Sequence, residues 1–296
     1  MKELVVISGK GGTGKTSIVA AFAALADNAV FADCDVDAAD LHLVLDPKVK
    51  QTNDFSGGKQ ASIISEECVG CGKCADMCRF GAIGLNGSAN HIIEKTYTVD
   101  PVSCEGCKVC VEFCPVGAIE FKDAINGQWF ISDTRFGPMV HAKLGIAEEN
   151  SGKLVTLIRK EARRIAEEQN RELLIIDGSP GIGCPVIASI TGADLVLVVT
   201  EPTLSGIHDL ERAAQLTSQF AIQTLVCVNK ADINPEMTER IEKDAKEKGL
   251  KLIGKIPYDE SFTKAQIMKA TLIEYTGGDI AEKVKSMFRE VTYALG

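Results

Sequence analysis

The stretch GKGGTGKTS at residues 9–17 contains residue types that bind phosphate. It fits the pattern G-x-x-x-x-G-K-[ST] and follows the apolar run LVVI, as a phosphate-binding loop follows a strand. Glycines in such a loop let backbone N–H groups turn toward the phosphates. Lys15 would reach the β and γ phosphates, and the hydroxyl of Thr16 would bind Mg²⁺. We therefore predict a nucleotide site formed by Gly9, Gly11, Gly12, Thr13, Gly14, Lys15, Thr16 and Ser17.

Cysteines supply a second kind of chemistry. Eight of the eleven lie between Cys68 and Cys114, in two C-x₂-C-x₂-C-x₃-C runs that repeat with a period of 36 residues. This spacing is that of bacterial ferredoxins with two 4Fe-4S clusters, in which the fourth cysteine of each run binds the other cluster. The predicted ligand sets are Cys68, Cys71, Cys74 and Cys114 for one cluster, and Cys104, Cys107, Cys110 and Cys78 for the other.

Structural zinc is the alternative for these cysteines. Zinc sites, however, use two C-x₂-C pairs that lie a dozen or more residues apart, not three cysteines in one tight run. Arg79 follows the first run at the place where Pro115 follows the second. This difference removes no ligand, and it changes the local charge beside one cluster.

Alternating strands and helices must hold these motifs in place. The segments ELLIID, DLVLVVT and IQTLVCV are nearly continuous apolar runs, which are typical of strands buried on both faces of a parallel sheet. The pattern predicts a doubly wound α/β fold with a mostly parallel sheet. The predicted strands are residues 4–7, 29–32, 172–177, 194–200 and 222–228, and the predicted helices are residues 16–26, 153–169, 207–220 and 235–248.

The cysteine repeat interrupts this alternation. We predict a small inserted α+β module of the bacterial ferredoxin type at residues 65–124. Residues 1–64 and 125–296 would then form one discontinuous P-loop domain. Residues 51–64 are predicted to form a β-hairpin around Gly57 and Gly58, and a strand resumes at residues 127–132.

Lys10 is not required by the phosphate-binding pattern. With this lysine, KGGTGKT resembles the deviant phosphate loop of the MinD/ParA/Mrp and nitrogenase iron-protein class. Together with DGSPGIG and the two cysteine runs, it makes the chain similar to MinD-superfamily ATPases that carry an inserted ferredoxin domain. The resemblance implies that Lys10 reaches across a dimer to the ATP of the other subunit. There it would stabilise charge on the transferred phosphoryl group, as an arginine finger does; the alternative is a solvated loop lysine.

The same resemblance implies roles for acidic residues. In the turn DCDVDAAD, Asp35 best matches the residue that positions the attacking water, ahead of Asp33 and Asp37. Alternatively, the four aspartates only cap and solvate the turn. Asp177, at the start of DGSPGIG, would reach Mg²⁺ through a water molecule.

Two further positions resemble the family's base pocket. Asn229 in VNKAD would face the edge of the adenine, although asparagine after a strand is also an ordinary turn residue. Pro257 in IPYDES would form a wall of the same pocket. The implied cofactors are thus ATP or ADP, Mg²⁺ and two 4Fe-4S clusters.

Composition limits the class of protein. The net charge is −9, which disfavours non-specific binding to nucleic acid. No apolar run approaches the roughly 18 residues of a membrane span, and we expect no signal peptide because KELVVIS leads directly into the phosphate loop. We therefore expect a cytoplasmic protein. In a reducing compartment, clustered cysteines indicate metal rather than disulfides.

The function that we predict is that of a dimeric ATPase, homodimeric or paired with a related ATPase. It would couple ATP hydrolysis to electron transfer or to iron–sulfur or metal-cluster assembly, with a redox or cluster client. The alternative is a MinD/ParA-like positioning ATPase whose clusters are structural or sense redox state. A reductase with one cluster between subunits, like the nitrogenase iron protein, is disfavoured because all eight ligands lie within one insert.

The C-terminal tail and the cysteines outside the two runs belong to none of these motifs. The tail IAEKVKSMFREVTYALG has apolar residues at helical spacing and mixed charges, so we predict a helix docked on the sheet rather than a surface binder. Cys34 and Cys184 are either small buried residues or thiols at a dimer interface or transfer point. Cys227 is expected in the core.

Overall fold

A computed structural model describes residues 1–145 and 151–296. The described strands are β1 (Lys2–Ser8), β2 (Ala29–Asp33), β3 (Lys48–Phe55), β4 (Gly58–Ile63), β5 (Ile83–Gly84), β6 (Thr98–Val99), β7 (Ile119–Ala124), β8 (Gly127–Thr134), β9 (Gly137–Leu144), β10 (Leu173–Pro180), β11 (Leu195–Thr200), β12 (Gln223–Asn229) and β13 (Lys251–Ile256). The described helices are α1 (Lys15–Ala23), α2 (Leu41–Leu45), α3 (Lys73–Met77), α4 (Val109–Glu112), α5 (Ser151–Glu168), α6 (Cys184–Ile190), α7 (Leu204–Gln219), α8 (Pro235–Glu247), α9 (Ser261–Ile267), α10 (Leu272–Tyr275) and α11 (Asp279–Leu295).

The chain divides into two compact units, which we describe separately. The larger unit comprises Met1–Asn53, Trp129–Lys143 and Ser151–Gly296. The smaller unit comprises Asp54–Gln128 together with the described residues 144–145. It begins earlier and ends later than the predicted module at residues 65–124, because β4 and β7 pair with each other at its two ends.

The larger unit is built on a nine-stranded sheet with the order β13-β12-β11-β1-β10-β2-β9-β8-β3. The six strand pairs from β13 to β9 are parallel. Strand β1 lies in the middle of these seven parallel strands, where Val5 is opposite both Ile176 and Val196. The predicted doubly wound, mostly parallel α/β fold is confirmed.

Both faces of the central strand are buried, which explains its continuous apolar sequence. Leu4 and Val6 belong to a core cluster with residues of α1 and α11, including Ile18 and Val284. Val5 points to the opposite face and is also fully buried. The C-terminal helix α11 buries Ile280, Ala281, Val284, Met287, Val291 and Leu295, so the tail is docked on the sheet as predicted.

The predicted hairpin at residues 51–64 is wrong. Strand β3 joins the edge of the large sheet beside β8, whereas β4 pairs antiparallel with β7 in the smaller unit. The glycines at the predicted turn therefore mark the passage of the chain from one sheet to another. The sequence pattern cannot distinguish a hairpin from two successive strands that join different sheets, because both arrangements need two strands and a short break between them.

The described residues of the smaller unit form two two-stranded sheets and two short helices. One sheet contains β4 and β7, and the other contains β5 and β6. Its core includes Ala61, Cys74, Cys110 and Ile119, so the cysteines take the place that apolar side chains hold in the larger unit. In the part of the chain that the structure describes, no helix is both long and apolar enough to cross a membrane.

Candidate functional site

A cavity of about 420 Å³ opens at the carboxyl ends of β1, β2 and β12. Ligand sites in open α/β sheets lie at this edge, and the volume suits a small molecule. Its lining combines the glycine-rich loop, the acidic turn, the end of β12 and helix α9. The lining includes Gly11, Gly12, Thr13, Gly14, Lys15, Thr16, Ser17, Asp35, Asn229 and Pro257, which were predicted from sequence, and also Lys230, Tyr258, Phe262 and Gln266.

Two glycines of the loop are required by close approach. Gly14 has φ +88°, and a side chain there would meet the amide nitrogen of Asn229 at 2.3 Å. A side chain on Gly9 would collide with Asp209 at 1.9 Å. Gly9 thus packs against α7 and is not among the residues that line the cavity, although it was predicted with the nucleotide-binding residues.

Lys15 lies between two carboxylates. Its Nζ is 2.5 Å from Oδ1 of Asp177 and 3.4 Å from Oδ2 of Asp35. Burial works to lower the pKa of Lys15, but Asp177 and Asp35 outweigh burial and raise the pKa above its ordinary value. The hydroxyl of Thr16 donates to Oδ2 of Asp177 at 2.7 Å. The structure thus brings the two predicted magnesium ligands together.

The aspartates of the acidic turn have different environments. Asp33 is fully buried and accepts hydrogen bonds from the backbone N–H groups of Asp35 and Leu41, both at 3.1 Å. Burial, reinforced by Asp177, raises the pKa of Asp33 well above its usual range. Asp35 lines the cavity, and burial with Asp177 raises its pKa, although Lys15 acts in the opposite direction. Asp37 is exposed. Asp33 therefore shapes the turn that presents Asp35.

The base side of the cavity combines expected and unexpected residues. Asn229 lines the cavity, but its side-chain N–H donates to the carbonyl of Thr13 at 2.7 Å. Its predicted contact with an adenine edge stays a prediction. Gln266 donates to the hydroxyl of Ser17 at 2.9 Å. Sequence reasoning missed Gln266 and Phe262, because helix α9 has no motif and reaches the loop only through the fold.

Lys10 lies outside this cavity lining. Its Nζ is 2.5 Å from Oε1 of Glu201, in the segment after β11, and 3.0 Å from the hydroxyl of Ser205. The other carboxylate oxygen of Glu201 is 3.2 Å from Nζ of Lys230. Sequence reasoning missed Glu201, since no spacing rule connects it with the glycine-rich loop.

Four cysteines of the smaller unit lie around one cavity. Cys78 lines one small cavity together with Cys104, Cys107 and Cys110. A cysteine from the first run is therefore beside three from the second, as expected if the fourth cysteine of the first run binds the cluster of the second. The complete ligand sets stay a prediction.

The backbone around the cysteines is suited to sulfur ligands. Burial raises the pKa of Cys74 to about 11, while hydrogen bonds from backbone N–H groups of Cys74 and Ala75 act to lower it. Burial likewise raises the pKa of Cys110, while hydrogen bonds from the backbone N–H groups of Val111 and Cys110 act to lower it. N–H groups aimed at sulfur are the contacts that tune iron–sulfur clusters.

The two runs also share an unusual backbone. Gly70 and Gly72 have φ +69° and +77°, and the equivalent Gly106 and Lys108 have φ +61° and +67°. Lys108 is not a glycine, so its left-handed conformation is sterically costly. The second run therefore keeps the same loop shape despite an unfavourable residue.

The three cysteines outside the runs differ in exposure. Cys34 and Cys227 are fully buried, and burial raises the pKa of both thiols. Cys227 is in the core, as expected. Cys184 is exposed at the start of α6, so its interpretation as a buried residue is wrong.

Comparison with known proteins finds a match for the cysteine-rich segment and relatives that cover nearly all or about half of the chain. Residues 49–118 match the family model of the 4Fe-4S dicluster domain. Over 292 residues, the chain is 33% identical to the uncharacterized protein MJ0578 of Methanocaldococcus jannaschii, covering 98% of this chain and 96% of that protein. It is also 29% identical over 140 residues to an uncharacterized ATP-binding protein, MJ0823, of the same organism, covering 45% of this chain and 53% of that protein.

A solved structure extends the comparison to the fold. The septum site-determining protein MinD from Pyrococcus horikoshii OT3, complexed with Mg-ADP, superposes with a TM-score of 0.58 at 15% identity. The match covers 98% of this chain and 95% of that chain. These findings confirm the resemblance that the motifs indicated. The chain belongs to the family of MJ0578, with the P-loop fold of MinD and a 4Fe-4S dicluster domain within its sequence.

Proposed function

We propose that this protein is a Mg²⁺-dependent ATPase that pairs in the presence of ATP. It couples its nucleotide state to electron transfer or cluster assembly through two 4Fe-4S clusters. The observation that carries the proposal is that Lys15, Thr16 and Asp35 line one cavity, while the buried Asp177 contacts both Lys15 and Thr16. These are the groups that phosphoryl transfer requires: a cation for phosphate, ligands for magnesium and a carboxylate for water.

Each of these groups has a defined role in the proposal. Thr16 and Asp177 hold Mg²⁺, with Asp177 acting through water, and Lys15 moves from the carboxylates to the β and γ phosphates. Asp35 orients the attacking water. Lys10 reaches the nucleotide of the partner subunit, which is either a second copy of this chain or a related ATPase.

In the smaller unit, Cys68, Cys71, Cys74 and Cys114 hold one cluster, and the remaining four cysteines of the runs hold the other. Bound clusters supply one-electron chemistry. Cys71 and Cys107 are exposed residues, so electrons would enter or leave the clusters on their side of the unit. The protein that exchanges electrons or clusters at this surface is the proposed client.

Chain connectivity supports coupling between the two sites. The chain passes from Asp35 through α2 and β3 directly into the smaller unit at Asp54. If nucleotide binding moves the acidic turn, the movement can therefore pass to the smaller unit along this short stretch of chain. Coupling of this kind is a free energy, and it must be the same in both directions.

This reciprocity provides the test. Cluster potentials are measured by an EPR-monitored redox titration with ADP and with a non-hydrolysable ATP analogue. ATP affinity is then measured with the clusters oxidised and reduced. Coupling predicts that the potentials differ between nucleotide states and that the affinity shift has the corresponding size.

Lys15→Ala serves as the control, because it should bind no nucleotide and show no shift. Equal potentials in all nucleotide states, with nucleotide shown to be bound, would contradict coupling. That outcome would favour the alternative of a positioning ATPase with structural clusters. A pull-down from anaerobic extract with and without the ATP analogue then identifies the client.

A further inference from the structure

Glu201 holds Lys10 on its own subunit. The ammonium group of Lys10 is 2.5 Å from Oε1 of Glu201 and 3.0 Å from Oγ of Ser205. The Lys10 side chain is 38% exposed, whereas the Glu201 side chain is only 14% exposed. The ammonium group of Lys10 is therefore bound by its own chain.

Glu201 has a second cation that keeps it charged. Its other oxygen is 3.2 Å from Nζ of Lys230, and the same Nζ donates to the carbonyl of Gly12 at 3.0 Å. Burial works to raise the pKa of Glu201, but hydrogen bonds from Lys10 and Lys230 outweigh it and lower the pKa. One carboxylate thus connects the front of the glycine-rich loop to the ends of β11 and β12.

We infer that Glu201 is a positioning residue that retains Lys10 in the unpaired subunit and opposes pairing until nucleotide binds. The partner that takes the ammonium group from Glu201 is the nucleotide-loaded site of a second copy of this chain or a related chain. The inference rests on the proposed role of Lys10 across the dimer. In this inference Lys10 leaves Glu201 to reach the partner's nucleotide, so breaking this ion pair is part of the free energy of pairing.

Lys230 makes the release of Lys10 feasible. A buried carboxylate that loses its only cation is strongly destabilised. Glu201 retains Lys230 when Lys10 leaves, so no unpaired buried charge results. Lys230 and Gly12 also line the nucleotide cavity, and a bound nucleotide therefore contacts the same set of groups that holds Glu201.

The test compares Glu201→Gln with the unmodified protein in two measurements. The first is the rate at which an amine-specific reagent labels Lys10 without nucleotide, followed by mass spectrometry. A partly exposed ion pair contributes up to about fivefold in an equilibrium constant, so we expect labelling to rise about threefold. The second is the dissociation constant of the dimer formed with a non-hydrolysable ATP analogue. It should fall about tenfold, because each dimer releases two lysines.

Glu211→Gln is the matched control. Glu211 pairs with Lys248 at 3.4 Å and is itself 44% exposed, and its loss should change neither measurement. Ser205→Ala is a second variant that leaves Glu201 and Lys230 in place. It removes the other contact of Lys10 and should shift both measurements in the same direction, by a smaller factor.

The two measurements separate failure of this inference from failure of the proposed function. If the unmodified protein does not pair with the ATP analogue, the proposed function fails, while labelling still tests the contact. If the protein pairs normally and Glu201→Gln pairs equally well or more weakly, the retaining role is overturned. Unchanged labelling of Lys10 in both Glu201→Gln and Ser205→Ala would overturn it independently of pairing.

Discussion

Lys15 controls the charge balance of the nucleotide site. Its ammonium group lies between Asp177 and Asp35, and Asp33 lies buried behind them. Three buried carboxylates would repel one another without this cation. In the proposed function, Lys15 would pair with the phosphates, and Asp177 would be neutralised by the Mg²⁺ that it helps to hold. A single residue thus neutralises the carboxylates of the site in the structure described here.

Variants at Lys15 and Asp35 should separate binding from hydrolysis. Lys15→Ala should abolish ATP binding, because the charge that meets the phosphates is lost. Asp35→Ala should bind ATP but hydrolyse it about a hundredfold more slowly, because only the positioning of water is lost. Isothermal titration and phosphate release measure the two effects. Normal turnover by Asp35→Ala together with slow turnover by Asp37→Ala would move the role to Asp37.

A second residue-scale prediction concerns His141 and pH. Burial, with a contribution from His42, lowers the pKa of His141 to about 4. Its ring stacks at 5.9 Å on that of His42, and its Nε2 is 2.9 Å from Oγ of Ser132. The unfolded chain therefore binds more protons than the folded chain between about pH 6.5 and pH 4. Stability is full above this range and falls as pH decreases through it.

The size of this effect follows from the two pKa values. Between pH 8 and pH 5, His141 should cost about 2 kcal/mol of unfolding free energy. His141→Gln retains a partner for Ser132 and should remove most of that pH dependence in urea unfolding. An equal pH dependence in both proteins would show that other groups cause it.

At the scale of elements, Arg159 connects β1, α5 and α6. It extends from α5, where its guanidinium is 2.8 Å from Oε2 of Glu3 in β1. It also donates to the carbonyls of Ala188 at 2.6 Å and Thr191 at 2.9 Å, at the end of α6. These carbonyls have no partner within the helix. One buried arginine thus orients the helix that directly follows the DGSPGIG segment.

Replacing Arg159 should therefore destabilise the larger unit. Arg159→Leu leaves the α6 carbonyls without their donor and Glu3 with Arg163 alone, at an expected cost of about 2–4 kcal/mol. Arg164→Leu, on the same helix, is the control. Arg164 is 45% exposed and pairs with Glu161 and Glu168, so its loss should cost under about 0.5 kcal/mol. Urea unfolding followed by circular dichroism compares them, and equal midpoints would contradict the connecting role.

At the scale of the whole molecule, distant segments complete each site. The nucleotide cavity combines the N-terminal loop with residues more than two hundred positions later, such as Asn229 and Gln266. In the smaller unit, Cys78 lies beside the second cysteine run. Both sites therefore depend on the complete fold and not on any one motif.

Iron content tests the prediction that the fourth cysteine of each run binds the cluster of the other run. Anaerobically purified protein should contain about eight iron and eight sulfide per chain. Cys78→Ala and Cys107→Ala should each lose about half, and so should the double variant, because both residues serve the same cluster. Cys71→Ala combined with Cys78→Ala should lose both clusters. The opposite result would show that each run binds its own cluster: all of the iron would be lost with Cys78→Ala and Cys107→Ala together, and only half with Cys71→Ala and Cys78→Ala together.

Mixing two inactive variants tests the role of Lys10 across the dimer. Lys10→Ala and Asp35→Ala subunits form heterodimers in which one of the two sites has both residues intact. Mixing should therefore restore up to about half of the activity per heterodimer, if the two sites act independently. A lysine that acts within its own chain predicts no recovery, because each chain carries its defect to its own site. Native mass spectrometry establishes that heterodimers form.

The amino-acid sequence by itself determined the chemistry of both sites. The phosphate-binding pattern and the two cysteine runs are local, because their function requires a few residue types at short spacing. Continuous apolar runs also predicted the parallel strands, since burial on both faces leaves no polar alternation. The docked tail was equally predictable from the helical spacing of its apolar residues.

Tertiary structure alone decided which distant groups meet these motifs. The partners of Lys10 and Lys15 lie in or directly after other strands, and their pairing depends on strand order rather than on spacing. The failed hairpin at residues 51–64 has the same cause: the local pattern predicts two strands, but hydrogen bonding to β8 and β7 determines which sheet each one joins. Local residue types determine what a segment can do, while long-range packing determines the charges and strands that it faces.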